Sequence, residues 1–209
     1  MPLEFAAWPK IARWKNEVMT ITEKIDGTNA CVVIAHMDDY DAEVPDSVIA
    51  KIDDGEQAYS VQAQSRSRFI MPGKNTDNAG FALWVQSHAV ALVKALGLGR
   101  HYGEWWGSGI QSGYGFQGGQ RTFSLFNVHR WDGVDLGVDN LATVPVIFKG
   151  AASEAEIEKS LDKLRREGSL AAPGFMRPEG VIIQYKLTQQ TYKAFVNDDG
   201  IPKSLKEGN

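Results

Sequence analysis

Six strand-like runs follow one another along this chain with only two helical patterns among them, and this uneven order constrains the fold more than any other feature. Strands that alternate one for one with helices predict a doubly wound parallel sheet. Strands that outnumber helices and arrive in runs predict an α+β architecture with largely antiparallel sheets. The first two runs, Val18 to Glu23 and Ala30 to His36, flank the Gly-containing turn Ile25-Asp-Gly-Thr-Asn29. Ala58 to Gln64 and Thr122 to Val128 form a second pair. Val144 to Phe148 and Val181 to Tyr185 are denser and are expected to lie centrally. One helix is expected from Asp77 or Asn78 to Gly97, with Phe81, Trp84, Val85, Leu92, Val93 and Leu96 among its apolar residues. The other has Ser153 and Glu156 as a capping box, Ile157, Leu161 and Leu164 at i, i+4 and i+7, and Gly168 as its stop. Residues 37 to 57 are acidic and turn-rich, and read as an exposed insertion.

The 209 residues show no repeat and no long linker, so one domain is expected over residues 1–209, without an OB barrel or helical module after it. With 43% hydrophobic and 23% charged residues, disorder and coiled-coil classes are excluded. The apolar stretches are too short to cross a bilayer, the start lacks a secretory layout, and the single cysteine, Cys31, precludes an internal disulfide. A cytoplasmic protein without a membrane partner is the expectation. A net charge of −4 argues against holding nucleic acid by overall electrostatics, so any such site must be local. Lys159, Lys163, Arg165 and Arg166 share one helix, where a solvated face is the commoner outcome. The four histidines lack zinc-ligand spacing, and Trp8, Trp14, Trp84 and Trp131 read as packing residues.

Four segments place unusual polar groups at strand ends or turns. In Thr22-Glu-Lys-Ile-Asp-Gly-Thr-Asn29, a lysine at a strand end is followed by Asp and a turn glycine, which can fix the amine as a nucleophile. The tetrapeptide alone recurs by chance, and a surface lysine in a hairpin is then the commoner case. Gln64-Ser-Arg-Ser-Arg68 offers guanidinium groups, whose planar fork suits phosphate. Tyr102-Gly-Glu-Trp-Trp-Gly sets a carboxylate beside two tryptophans in a region with seven glycines between Gly103 and Gly119, where backbone can approach a ligand. Arg177-Pro-Glu-Gly-Val-Ile-Ile-Gln-Tyr-Lys186, followed by Tyr192-Lys-Ala-Phe195, brings a carboxylate suited to a metal and ammonium groups suited to phosphates.

In this order the four segments resemble the motif series of the covalent nucleotidyltransferases, the ATP-dependent DNA and RNA ligases and messenger-RNA capping enzymes, from about Glu23 to Phe195. The resemblance implies a nucleotidyltransferase (ATP-grasp-like) domain of antiparallel sheets flanked by helices. It implies Lys24 as the adenylated nucleophile and Lys193 with Lys186 as closing lysines on the α-phosphate, and in that mechanism Asp26 is read as orienting Lys24 or the attacking hydroxyl. Arg66 is then associated with the nucleotide and the substrate end, Glu104 touches the ribose, and Phe126 stacks on the purine. Glu179 and Glu104 are the expected metal residues, and Glu23, Ile25 and Asn29 complete the nucleotide pocket. Asn29 stands where DNA ligases and capping enzymes carry arginine, which is similar to the second family of RNA ligases, typified by a nick-sealing bacteriophage enzyme and by trypanosome editing ligases. The last motif of that branch often has lysines two apart, whereas Thr191-Tyr-Lys193 supplies one.

That resemblance implies an ATP-dependent RNA ligase that forms lysyl-AMP, transfers AMP to a 5′-phosphate and seals it to a 3′-hydroxyl. ATP and Mg²⁺ or Mn²⁺ are the implied cofactors. RNA ends are the implied partners, with DNA as an alternative acceptor and a clamp domain or partner protein as an aid. The alternatives are a DNA ligase, a capping-type guanylyltransferase, or a nucleotide-binding module without turnover.

Overall fold

A computed structural model describes residues 4–8, 10 and 16–197; Trp14 lies outside them. The described elements run β1 (Val18–Lys24), β2 (Thr28–Met37), β3 (Ala50–Asp53), β4 (Ala58–Ser65), β5 (Phe69–Ile70), α1 (Phe81–Ser87), α2 (Ala89–Leu96) and β6 (Gly99–Gly107). After these come β7 (Arg121–Leu125), β8 (Leu141–Thr143), β9 (Val146–Ala151), α3 (Glu154–Glu167), β10 (Gly180–Tyr185) and β11 (Thr191–Phe195). They build two sheets. The first has the order β11-β10-β1-β9 and is antiparallel throughout. The second has the order β3-β4-β2-β6-β7-β8, with β5 beside β4, and only its β7–β8 pair is parallel. The α+β expectation with antiparallel sheets is met.

Alternation along each strand sorts its side chains between a helix-covered core and the space between the sheets. Met19 and Ile21 of β1, with Val181 and Ile183 of β10, pack on Leu161 and Leu164 of α3. Thr20, Thr22 and Lys24 therefore point to the opposite face. In the second sheet Val32, Ile34, Val61, Phe123 and Leu125 pack with Phe81, Val85, Leu92 and Leu96 of the helices. Trp105 joins that core, with its indole N–H donating to the Ala79 carbonyl at 2.9 Å.

The turn joins β1 and β2 as expected and carries the chain from one sheet to the other, while several other expectations are corrected. Gly27 is needed there because a Cβ would lie 2.6 Å from the Trp105 carbonyl oxygen and 2.8 Å from Trp106 Cβ. The Val144 to Phe148 run yields an edge strand, since β9 pairs only with β1. The long first helix is divided at His88, whose backbone N–H and ring Nδ1 both meet the Trp84 carbonyl oxygen. Asp77 does serve its start, accepting the N–H groups of Ala82 and Leu83 at 2.8 and 3.1 Å. The expected capping box does not form. The Ser153 side chain makes no cap, and the Glu156 carboxylate takes Lys159 at 2.6 Å instead. Gly168, at φ +80°, ends that helix as expected. The region 37–57 is not all exposed, because it contributes β3 and the buried Ile49. Trp84 and Trp131 are buried, but Trp8 is 86% exposed among the described residues.

Candidate active site

Lys24 ends β1 on the groove face, and its Nζ lies 2.5 Å from Glu179 Oε2. Both side chains are mostly enclosed. Lys24 stands opposite Gly180 in the register, and Gly180 stands opposite Phe195. A Cβ at Gly180 would run into the Ala194 carbonyl oxygen and lie 2.8 Å from Phe195 Cα. With no side chain in that place, Lys24 Nζ reaches within 6.0 Å of the Phe195 ring centre. Lys193 lies two rows further along, opposite Ile182, and its Nζ is 5.3 Å from the same ring. Phe195, which stands two residues after the single lysine of the last motif, thus contacts both cations.

Glu104 faces this pair from β6, where it is paired with Asn29 of β2. It is on a central strand, not in the glycine-rich loop its composition suggests. Its Oε1 accepts the Gly27 N–H at 3.1 Å and its Oε2 accepts Asn29 Nδ2 at 3.0 Å. Burial pushes its carboxyl up to about 7, against the pull of Lys24 and the two hydrogen bonds, while the nearby Glu179 raises it further. The folded protein therefore holds this proton more tightly than the unfolded chain does. Stability is expected to fall as pH rises from the ordinary carboxylate range to about 7, by on the order of 2–3 kcal/mol, and to level off above. Thermal melts of the native chain and Glu104→Gln between pH 4.5 and 8, without added metal, check this; the difference in midpoint should vary with pH only over that window.

Neighbouring residues of the same turn have other tasks. The Glu23 side chain turns away from Lys24 into the protein, where Ser169 Oγ donates to it at 2.6 Å and the Leu170 and Ala171 N–H groups at 2.8 and 3.0 Å. Its burial raises its carboxyl above the usual range, and these bonds oppose the rise. Ile25 is buried with Trp106, Tyr114, Val128 and Val144. Asp26 donates its backbone N–H to Tyr114 Oη at 2.9 Å. Tyr114 was not singled out by sequence, although it holds the turn after Lys24 from a strained φ of +50° with its ring 4.5 Å from that of Phe175. An aromatic residue inside a glycine run was the available signal.

The structure does not bring all the expected residues together. Arg66 is exposed in the turn after β4; Ser65 pairs with Ala30, which puts Arg66 at the Asn29 end of the sheet. Phe126 follows β7 and is half-buried against the Ile25 and Trp106 cluster. Lys186 lies at the far end of the groove, its N–H on the Val18 carbonyl, six residues from Lys24 and therefore about 20 Å away along the strand. Two lysine side chains cannot meet on one phosphate across that span. Cys31 is buried, with its thiol pushed up to about 11 by desolvation. Among the described residues no three His, Cys, Asp or Glu side chains cluster as a metal site, and no helix is long and apolar enough to cross a membrane. Glu179 and Glu104, either side of Lys24, still suit Mg²⁺ or Mn²⁺, because such ions are commonly held by one or two carboxylates with phosphate oxygens and water completing the shell.

The family model described as RNA ligase matches residues 17–196. No curated protein matches the chain in sequence. Among solved structures, the chain is similar in fold to a lysine-to-alanine mutant of Naegleria gruberi RNA ligase with ATP and Mn, at 14% identity and a TM-score of 0.52, covering 87% of this chain and 49% of that one. A second such mutant of the same Naegleria protein, also with ATP and Mn, matches at 13% identity and a TM-score of 0.51, over 87% and 50% of the two chains. The chain thus spans about half the length of the structures it matches.

Proposed function

The chain belongs to the RNA ligase family, and from that premise we propose that it is the adenylylating domain of an ATP-dependent RNA ligase working through lysyl-AMP on Lys24. The observation that carries this reading is the setting of Lys24: a strand-end amine on Glu179, beside Lys193 and facing Glu104. The Nζ lone pair attacks the α-phosphorus of ATP, a P–N bond forms, and pyrophosphate leaves. Glu179 is the group within hydrogen-bond reach of the proton that must leave the amine first. Lys193 lies close enough to share Phe195 with Lys24 and stabilises charge on the phosphoryl oxygens. Glu179 and Glu104 would hold a divalent cation, which would supply further charge neutralisation to the phosphates. The Naegleria structures with ATP and Mn support that pairing of cofactors. AMP then passes to an RNA 5′-phosphate, and a 3′-hydroxyl displaces it as the new phosphodiester forms.

Asn29 supports the nick-sealing and editing branch, since an uncharged amide, and not a guanidinium, reaches Glu104 from that position. The half-length match to the Naegleria structures supports a clamp supplied from outside residues 17–196, by another domain or a partner. Intact mass after incubation with ATP and Mg²⁺ or Mn²⁺ tests the reading. One AMP is expected on the protein, removed again by pyrophosphate, and nicked RNA offered against nicked DNA then identifies the acceptor. Absence of any adduct with either metal, in a protein that binds ATP, would return the chain to a binding module.

A further inference from the structure

The groove does not end at the adenylylation site. Beyond Thr20, about 13 Å along β1 from Lys24, it opens into a cleft of about 700 Å³ between the two sheets. Its floor is closed by His129 Nε2, 3.3 Å from Thr20 Oγ1 across the sheets. Arg100, Arg130, Lys149 and Lys186 line it, and among the described residues no aspartate or glutamate does, in a chain whose net charge is −4. Arg130 is fixed in place, with its guanidinium 2.8 Å from the Leu96 carbonyl oxygen and stacked 4.6 Å from the Trp131 ring centre. Lys149 has only a loose, exposed contact with Asp132 at 3.5 Å. Tyr102, 51% exposed, offers an aromatic wall.

These cations have no use in the adenylylation step. In the ligase reading, an AMP joined to Lys24 has its one phosphate there, and its purine, which would stack on Phe126 at the near wall of this cleft, is uncharged. Four cations with one loose carboxylate contact among them, Lys149 to Asp132, call for other phosphates, and an exposed ring beside them calls for a base. We propose that this cleft holds a segment of single-stranded RNA leading to the end being sealed, with its phosphates on Arg100, Lys149 and Lys186 and a base on Tyr102. The proposal rests on the ligase reading above and gives its acceptor strand a place.

The test uses the native chain, an Arg100→Gln, Lys149→Gln double variant, and Tyr102→Ala, with a fluorescent 5′-phosphorylated RNA oligonucleotide and with inorganic tripolyphosphate as probes. The double variant is expected to bind RNA about tenfold more weakly. The slope of log K against log salt should drop by about 1.4, which is about 0.7 for each single-strand phosphate deprived of its cation. Tyr102→Ala is expected to weaken RNA binding and leave tripolyphosphate binding unchanged. Lysyl-AMP formation should match the native chain in both variants. Native RNA affinity and salt slope in the double variant, while lysyl-AMP still forms, would overturn the RNA cleft and spare the ligase reading. Equal losses for RNA and tripolyphosphate in all variants would overturn it too, by leaving a simple anion site. If neither the variants nor the native chain forms lysyl-AMP, the ligase reading fails, and RNA binding is judged by its own two measurements.

Discussion

Lys24→Arg is expected to keep the fold and abolish the AMP adduct. A guanidinium in this place can still pair with Glu179, so the mostly enclosed carboxylate keeps a cation and the strand end keeps its packing. Chemistry does not survive the exchange. An ammonium can release a proton to a nearby base and attack phosphorus, whereas a guanidinium remains protonated at any accessible pH. Adduct formation should fall at least about a thousandfold, below detection by intact mass, with a melting midpoint within a few degrees of the native one. Sealing of RNA that already carries a 5′-adenylate should be much less affected, because that step needs no lysine nucleophile. An adduct that persisted on Lys24→Arg would place the nucleophile elsewhere and undo the reading of the site.

The legibility of this chain followed the distance over which each feature is encoded. β1, β4 and β10 were visible because alternation and β-branching act within a few residues. β6 was not, since its Gly103 and Gly107 dilute the strand pattern. Those glycines are there because a Cβ at either would lie against the backbone or side chains of neighbouring residues such as Phe123 and Phe116. Glu104 was therefore picked out by motif and not by any strand pattern. Lys24, Glu179 and Lys193 came together as the motif order implied, yet Lys186 did not. Its distance from Lys24 depends on which end of β10 meets which end of β1, and antiparallel register cannot be read from spacing. Tyr114 and the Ser169–Ala171 loop act on the site through contacts more than 85 residues apart in the chain, which no local pattern records.

The same geometry predicts that Glu23, adjacent to Lys24, acts chiefly through stability. Its carboxylate is 1% exposed and accepts from Ser169 Oγ and two backbone N–H groups. Glu23→Ala leaves those donors buried without an acceptor. The expected cost is about 3 kcal/mol, or a midpoint lower by roughly 6–12 °C for a domain of this size. Glu23→Gln keeps an oxygen for the N–H groups and can turn its amide toward Ser169 Oγ, so its expected cost is about 1 kcal/mol. The loop concerned continues to Phe175, whose ring packs on Tyr114, and Tyr114 holds Asp26 two residues from Lys24. Below its melting range, Glu23→Ala should therefore also form lysyl-AMP about tenfold more slowly, as the turn loses its support. Thermal melts paired with single-turnover adenylylation separate this from a direct contact with the nucleotide. A Glu23→Ala protein with the native midpoint but impaired adenylylation would show that the carboxylate serves the nucleotide and not the loop.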